Sequence, residues 1–267
     1  MAAQRFRDHL RAADDPRIAG IAALDAYGWA ERAFAHPRAG PLFAAWRQRY
    51  ETAGFFGITA DGTRIPDLFG LAAEGAPSGA IAAAAERLLS LTTAAQRARL
   101  CHDIHAREWR AWMNPEVYMH RFGLRLDEEP AAIREAVLDV LRASLSPAGY
   151  ARARDLMRIN HFLGELVNAP RVMNEYSYNF NLFGMPSPDE PWGWNYYGHH
   201  LCLSCLVLGE QMVLTPVFMG AEPNCIDTGP HAGTTAFAEE ERRGLRHARG
   251  RHHARRQSRR ATGGRPH

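Results

Sequence analysis

The sequence predicts an α+β fold, with a helical N-terminal half followed by an antiparallel β-sheet in the C-terminal third. Apolar residues recur at helical intervals of three and four as far as Val167, and strict alternation of apolar and polar residues begins at Glu175. The helical segments precede the strands instead of alternating with them, which is typical of this class. The length of 267 residues and the hydrophobic fraction of 46% suit a single domain over residues 1–241.

The helical half is divided by proline, glycine and hydroxyl residues that end helices or begin them. Helical spacing predicts helices within residues 21–34, 42–50, 80–91, 96–112, 130–145 and 147–167. Ser78, Ser146 and either Thr92 or Thr93 are predicted N-caps, because a hydroxyl there can accept from the first backbone N–H groups of a helix. A short hairpin is predicted over residues 55–65, turning at an Asp-Gly pair.

The C-terminal third contains three β-type segments. Residues 175–183 alternate between apolar and polar side chains, as a strand with one buried face does. Two further runs, residues 194–208 and 211–219, are separated by Gly209-Glu210, which suits a two-residue hairpin turn with glycine first. We therefore expect these segments to pair as neighbouring strands of one sheet.

One face of this sheet is predicted to be polar. The turn sets a register in which Ser204 lies opposite Thr215, and Cys202 lies opposite Val217. This face then carries His200, Cys202, Ser204, Thr215 and Val217, together with Glu175, Ser177, Asn179 and Asn181 of the first strand. Small and polar side chains gathered in this way predict a pocket for a small-molecule ligand. The alternative is a sheet face open to solvent, which antiparallel sheets commonly have.

Histidine and glutamate on this face are the candidate catalytic residues. His200 is predicted to act as a general base or a metal ligand, with Glu175 as its carboxylate partner. His199 is a second candidate for the same roles, so His199, His200 and Glu175 are the candidate ligands of a divalent metal cofactor. Because neighbouring residues of a regular strand point to opposite faces, the two histidines are not expected to bind one ion unless Gly198 opens a bulge.

A further set of residues is predicted to bind the substrate. It comprises Arg110, Asn114, Ser177, Asn179, Trp194, Ser204 and Thr215. Arg110 and Asn114 lie four residues apart and would share one face of a helix. The guanidinium of Arg110 suits the carboxylate of an anionic ligand, or else an ion pair that anchors the end of the helix.

Other groupings carry weaker predictions. Two have the spacing of metal ligands on a helix: His102 with Asp103 and His105, and His161 with Glu165. Solvated helix faces also produce such groupings by chance. The C-x-x-C motif would place its two thiols on opposite faces of a strand, so neither zinc binding nor redox chemistry is expected there. The sequence contains no phosphate-binding loop, dinucleotide fingerprint, G-x-S-x-G or H-E-x-x-H motif.

Basic charge is concentrated at the C-terminal end. Residues 242–267 hold ten arginines and no acidic residue, so subtracting ten from the net charge of +3 leaves −7 for the rest of the chain. An acidic domain disfavours a nucleic-acid groove, and nucleic acid is expected as a partner only through this tail. The Arg/His/Gly/Ala composition cannot bury a core, so we expect a disordered tail, either a genuine basic terminus or the product of a shifted reading frame.

The sequence shows no feature of export or of membrane insertion. No apolar run approaches the roughly 20 residues that span a bilayer, and the charged N-terminus has no apolar leader segment. The four cysteines are expected as free thiols, since a chain of this length does not need a disulfide framework. We therefore expect a cytoplasmic protein with no membrane partner.

Several motifs together resemble one family, mainly bacterial. They lie at residues 57–62, 108–115 (without Met113), 145–150, 175–176, 182–184, 191–194, 198–201, 215–216 and 220–223. The Trp-Gly-Trp and Gly-His-His-Leu blocks are the most specific. Over about residues 40–241 the chain resembles the domain of unknown function 3500 family, which implies a shared fold unit and no assigned chemistry. Met185 stands where that family's pattern leads us to expect glutamate, so no acidic role is expected there.

These features support three functions. The first is an enzyme that acts on a small anionic molecule by histidine–carboxylate general acid/base catalysis or with the help of a metal. The alternative is a small-ligand-binding or interaction module without catalysis. The third, less supported by the charge distribution, is a nucleic-acid binder that acts through the basic tail.

Overall fold

A computed structural model describes residues 6–12, 14–16, 18–54, 70 and 72–240 of the chain. Its α-helices are α1 (Ala26–Ala35), α2 (Gly40–Thr52), α3 (Ser78–Leu91), α4 (Ala94–Leu100), α5 (Ala131–Ser144) and α6 (Pro147–Leu166). Its strands are β1 (Cys101–His102), β2 (Leu124–Arg125), β3 (Tyr178–Phe183), β4 (Trp192–Gly198), β5 (Leu201–Leu208) and β6 (Gln211–Met219). The helices lie mostly before the long strands, which confirms the α+β class.

Hydroxyl side chains begin two of the helices as predicted. Ser146 Oγ accepts from the backbone N–H of Gly149 at 3.1 Å in the first turn of α6. Thr93 caps α4 through a capping box, in which its side chain accepts from the Gln96 N–H and Gln96 accepts in return. Ser78 was expected to cap α3 but is the first residue of that helix and makes no capping contact.

The helix predicted over residues 96–112 is wrong beyond its first turns. α4 covers only Ala94–Leu100, after which the chain enters β1 and then a 3-10 turn at Arg107–Arg110. The chain leaves the helix because β1 gains backbone hydrogen bonds to β3, a long-range pairing that helical spacing cannot reveal. Arg110 and Asn114 therefore do not share the face of a helix.

The strands form one six-stranded sheet in the order β1-β3-β4-β5-β6, with β2 also paired to β3. β3, β4, β5 and β6 pair antiparallel with their neighbours along the chain. β1 lies parallel to β3, so the prediction of a purely antiparallel sheet is wrong and the sheet is mixed. The parallel strand has two residues, which is too short to show alternation in the sequence.

One face of the sheet packs against α3, α5 and α6 to form the main core. Its large side chains include Ile81, Leu88, Val137, Leu141, Met157 and Phe162 from the helices and Tyr178, Phe180, Trp194, Tyr196 and Leu203 from the strands. Tyr178 and Tyr196 stack across neighbouring strands with ring centroids 5.1 Å apart. Burial of one large apolar side chain contributes about 1.5–3 kcal/mol, so this contact holds the helices on the sheet.

The opposite face of the sheet is covered by α1 and by residues 111–122. Tyr197 and Cys202 pack there against Ala26, Ala30 and Ala33 of α1 and against Met113, Val117, Tyr118 and Met119. The polar residues of this face, Asn179, Asn181, Asn195 and Ser204, are at most 3% exposed. A polar face open to solvent is therefore excluded, because the covering segment occupies the space above it.

Side-chain amides form a hydrogen-bonded row across this covered face. Asn181 Nδ2 donates to Asn195 Oδ1 at 2.9 Å, and Asn195 Nδ2 donates to the Glu108 carbonyl oxygen at 3.5 Å. His102 Nε2 lies 2.8 Å from Asn181 Oδ1 and donates to it, since that oxygen has no proton. The row satisfies buried polar groups that would otherwise be costly, so these asparagines have a structural role.

A β-bulge interrupts the pairing of β5 with β6. Next to the turn the predicted register is confirmed, with Leu208 opposite Gln211. Beyond the bulge it is wrong by one residue, since Val217 lies opposite Leu203 and not opposite Cys202. One extra residue of β6 is therefore accommodated between the two regions.

The bulge contains Thr215 and Pro216, which face solvent. Pro216 has no N–H group to donate to the ladder, so a bulge at an edge strand is where a proline is tolerated. An extra residue in a strand moves every later side chain of that strand to the opposite face of the sheet. Phe218 consequently packs on the covered face, whereas Met219 packs against the main core.

Some predictions fall on residues outside the described part of the chain. These are the hairpin over residues 55–65 and the arginine-rich tail over residues 242–267. Among the described helices, none combines the length and the apolar character needed to cross a membrane. None of the four cysteines forms a disulfide in the described part of the chain, as expected.

We predict that Gly193→Ala lowers the free energy of unfolding by about 1–3 kcal/mol, the usual cost of overpacking, in a urea titration. A Cβ at Gly193 would collide with the Cys205 carbonyl oxygen and come within 2.8 Å of the Trp109 ring. Trp109 cannot easily retreat, because it stacks on Phe183 with ring centroids 3.8 Å apart.

Gly79→Ala is the matched control, since a Cβ at Gly79 in α3 meets no atom within 4 Å. Its stability should be unchanged or slightly higher, because alanine favours a helix over glycine. Equal stability of the two variants would contradict the close approach of Cys205 and Trp109 to Gly193.

Candidate metal site

A two-residue turn made of His199 and His200 joins β4 to β5. Gly198 and Leu201 face each other across the two strands. Residues 194–208 are thus parts of two strands and not the single strand predicted. The expectation that the histidines point to opposite faces is wrong, because it requires a continuous strand. In the turn their rings lie together, with centroids 4.0 Å apart and planes at 89°.

The backbone of His200 is held in an unusual conformation. Its φ is 99°, and such left-handed values cost a non-glycine residue about 1–3 kcal/mol. The Gly220 N–H donates to the His200 carbonyl oxygen at 2.7 Å, which helps to hold it. A Cβ at Gly220 would come within 2.8 Å of His200 Nδ1, so the chain that leaves β6 passes close to this imidazole.

Glu222, on the segment after β6, brings a carboxylate to both imidazoles. Its Oε2 lies 3.4 Å from His200 Nε2 and 3.7 Å from His199 Nε2. One potential ligand atom from each of the three residues lies within 4.8 Å of the other two. The His199 side chain is buried, that of His200 is 27% exposed and that of Glu222 is 63% exposed. The cluster is therefore anchored on one side and accessible on the other.

Hydrogen bonds fix the tautomer of neutral His199. Asn160 Nδ2 donates to the Asn174 carbonyl oxygen at 2.8 Å and to Ser177 Oγ at 3.0 Å. These contacts leave Asn160 Oδ1 as the acceptor for His199 Nδ1, 3.0 Å away. With its proton on Nδ1, the neutral imidazole presents the lone pair of Nε2 to Glu222.

Glu222 is stabilised in its charged form. When their Nε2 atoms carry protons, the imidazole of His199, followed by that of His200, holds the pKa of Glu222 well below its ordinary value and outweighs the burial that would raise it. Both nitrogen–oxygen distances are longer than an ordinary N–H···O hydrogen bond. The carboxylate is thus poised beside the nitrogens without a tight hydrogen bond to either.

Glu175, the predicted carboxylate partner of the histidines, makes a different contact. Its Oε1 accepts from Arg154 Nη2 at 2.6 Å in an ion pair whose side chains are about one-fifth exposed. Alternation placed Glu175 on a strand face, but β3 begins only at Tyr178. The carboxylate that meets both histidines is Glu222.

The structure separates the predicted substrate-binding residues of the sheet. Ser177 is bonded to the amide that orients His199, so it supports the candidate site from behind. Asn179 and Ser204 are buried on the covered face. Trp194 is fully buried in the main core, where its indole N–H donates to a helix hydroxyl at 3.1 Å. Thr215 lies exposed in the bulge, away from the core.

Arg110 and Asn114 line a separate cavity, and neither His199 nor His200 is among its lining residues. Arg110 Nη1 donates to the carbonyl oxygens of Ala53 at 2.7 Å and Gly54 at 3.3 Å. Its anchor is thus a pair of backbone carbonyls just after α2, and the described residues give it no ion-pair partner. The alternative of an ion pair at a helix end is replaced by this contact.

The weaker groupings are accounted for by local structure. His161 and Glu165 form a 3.5 Å contact on the outer side of α6, and His102 belongs to the amide row. The thiols of Cys202 and Cys205 are buried, and burial raises the pKa of each to about 12. Neither is a thiolate at neutral pH.

Glu222 and Asn160 were not among the predicted site residues, although Glu222 lies in the motif over residues 220–223. Glu222 lies in a loop, and no periodicity connects it to the histidine turn. Asn160 lies on the buried side of α6 between Met157 and Leu163. An amide among apolar residues signals a buried hydrogen-bond network, so this residue could have been found, whereas the position of Glu222 depends on the fold.

Comparison with known proteins identifies a family. The family model described as "Protein of unknown function (DUF3500)" matches residues 74–260. This confirms the resemblance carried by the motifs, and the matched range begins and ends later than residues 40–241. Neither a curated protein nor a solved structure matches the chain. The chain belongs to the DUF3500 family, whose description assigns no function.

Proposed function

We propose that the chain binds a divalent metal ion of the zinc class through His199, His200 and Glu222, and that this site acts on a small polar substrate. The convergence of two imidazole nitrogens and a carboxylate oxygen on one surface position carries the proposal. Two histidines and one carboxylate are a common ligand set for catalytic zinc.

The distances from the Glu222 carboxylate to the two imidazoles support this ion. Zn²⁺ binds imidazole nitrogen and carboxylate oxygen at about 2.0–2.2 Å, so neighbouring ligand atoms of a tetrahedral site lie roughly 3.3–3.5 Å apart. Glu222 Oε2 is 3.4 Å from His200 Nε2, within that range. Its distance of 3.7 Å from His199 Nε2 exceeds the range only slightly.

Two hydrogen-bond acceptors that face each other, Nε2 of neutral His199 and the Glu222 carboxylate, support the proposal independently of the distances between ligand atoms. Asn160 keeps the proton of neutral His199 on Nδ1, so Nε2 and the Glu222 carboxylate face each other with lone pairs. Such atoms repel unless a proton or a cation lies between them. A cation satisfies both and preserves the bond to Asn160, which is a typical outer partner of a metal-bound histidine.

Chemistry at such a site requires an accessible position. A zinc ion with three protein ligands keeps a fourth position for water or substrate, where it lowers the pKa of the water or polarises a carbonyl group. The partly exposed side chains of His200 and Glu222 leave that side of the cluster open. Buried His199 and its partner Asn160 hold the opposite side rigid.

A second candidate function uses the same residues without a metal. His200 and Glu222 are 3.4 Å apart and partly exposed, as a histidine–carboxylate general acid/base pair would be. A cluster that binds a metal and a ligand without turnover would correspond to the non-catalytic alternative. Metal binding separates the first proposal from the acid/base pair.

We predict that the full chain binds close to one zinc ion and that His199→Ala, His200→Gly and Glu222→Gln each weaken zinc binding by more than about ten-fold, because each removes one of three ligands. Glycine replaces His200 because it accepts the positive φ of that position. Isothermal titration with zinc and elemental analysis after dialysis measure the effect.

His161→Ala is the matched control, since it removes a histidine that contacts a glutamate on α6 outside the cluster. It should bind zinc like the unaltered chain. Zinc binding by Glu222→Gln that equals that of the control would contradict the proposed ligand set.

We predict that neutral His199 carries its proton on Nδ1, because Asn160 Oδ1 can only accept a hydrogen bond. Nitrogen-15 NMR of the histidine side chains distinguishes the two tautomers. Asn160→Ala should lower zinc affinity by about ten-fold or more, the usual cost of losing an outer partner, while its circular dichroism stays unchanged. A proton on Nε2 of neutral His199 would argue against the orientation described.

A further inference from the structure

A second cavity, of about 540 Å³, lies beside the C-terminal end of α2, away from the histidine turn. The residues that give it chemical character are Trp46, Arg49, Tyr50, Arg110, Trp112 and Asn114. Its volume is in the range of pockets for small molecules, about 300–1,000 Å³. None of its lining residues belongs to the His199–His200–Glu222 cluster, so its role is independent of the proposed metal site.

The charged residues that line the cavity are cationic. Arg49 and Arg110 both line it, and no acidic residue is among its described lining residues. The two carbonyl contacts of Arg110 Nη1 fix the guanidinium in the wall. The described residues give Nε and Nη2 of Arg110 no acceptor, so these donors can serve a ligand. A guanidinium with free donors and a fixed position suits a carboxylate.

The cavity is also lined by aromatic side chains. Trp46 and Trp112 contribute indole rings, and Trp46 is 40% exposed, unusual for so large an apolar side chain. Tyr50 is buried and packs against His120 with ring centroids 4.6 Å apart, so this wall is rigid. Flat aromatic walls favour a ring that can stack or pack edge to face.

The charge on the ligand is limited by its surroundings. The cavity lies at the C-terminal end of α2, where the partial negative charge of the helix dipole disfavours a dianion about twice as strongly as a monoanion. His120 adds no positive charge near neutral pH, because burial lowers its pKa to about 4. A single negative charge therefore fits better than a phosphate dianion.

We propose that this cavity binds an aromatic monocarboxylate, with Arg49 and Arg110 on its carboxylate and Trp46, Tyr50 and Trp112 around its ring. Asn114 also lines the cavity and offers an additional donor or acceptor.

Isothermal titration of the full chain with phenylacetate, 2-phenylethanol, acetate and phenyl phosphate tests the proposal. Phenylacetate should bind about ten-fold or more tighter than the alcohol or acetate, because only it offers both the charge and the ring. Arg49→Met and Arg110→Lys should each weaken phenylacetate binding by about ten-fold, since lysine cannot make the forked contact. Arg87→Met is the control, because Arg87 is 71% exposed on α3 and pairs with Asp139.

Several outcomes would overturn the proposal. Phenylacetate that binds no tighter than the alcohol would remove the role of the arginines. Unchanged phenylacetate affinity in Arg49→Met would also remove the role of the arginines. Arg49 is exposed, so this variant should fold and keeps the test valid even if Arg110→Lys does not fold. Tighter binding of phenyl phosphate than of phenylacetate would show that the site selects a dianion instead.

Discussion

The turn at His199 and His200 is the constraint on which the sheet and the candidate site both depend. It sets the register of β4 against β5, and register decides which side chains face the helices and which face the covering segment. Trp194 enters the main core for this reason, whereas Asn195 joins the amide row on the covered face. The same turn brings two imidazoles to one position, which a continuous strand would forbid.

The bulge in β6 is the second feature that positions the candidate site. Its extra residue reverses the facing of Phe218 and Met219, and the chain that leaves the strand then passes His200 through the hydrogen bond of Gly220. Glu222 reaches the histidines from that path. The candidate site thus arises from two irregularities in neighbouring hairpins, a turn and a bulge, and not from the regular face of a strand. Irregular positions of this kind often carry function.

Regular elements could be predicted because their signals are local. Ser146 and the apolar periodicity after it define α6, and Gly209 marks the turn before β6. The histidine turn lacks the Asn-Gly or Asp-Gly pair that usually marks a tight hairpin. The sequence therefore predicts one continuous strand through it. The partner of the histidines was assigned as Glu175 by alternation alone. The contact of Glu222 with the histidines could not be inferred, since it depends on packing after the bulge.

The position of a bound ion separates a metal site from a metal-free acid/base pair. Crystals of the full chain grown with zinc can be measured on both sides of the zinc absorption edge. We predict one strong anomalous peak between Nε2 of His199, Nε2 of His200 and the Glu222 carboxylate, with each ligand about 2.0–2.2 Å away. A peak at other residues, or none in a crystal that keeps this cluster intact, would contradict the metal site.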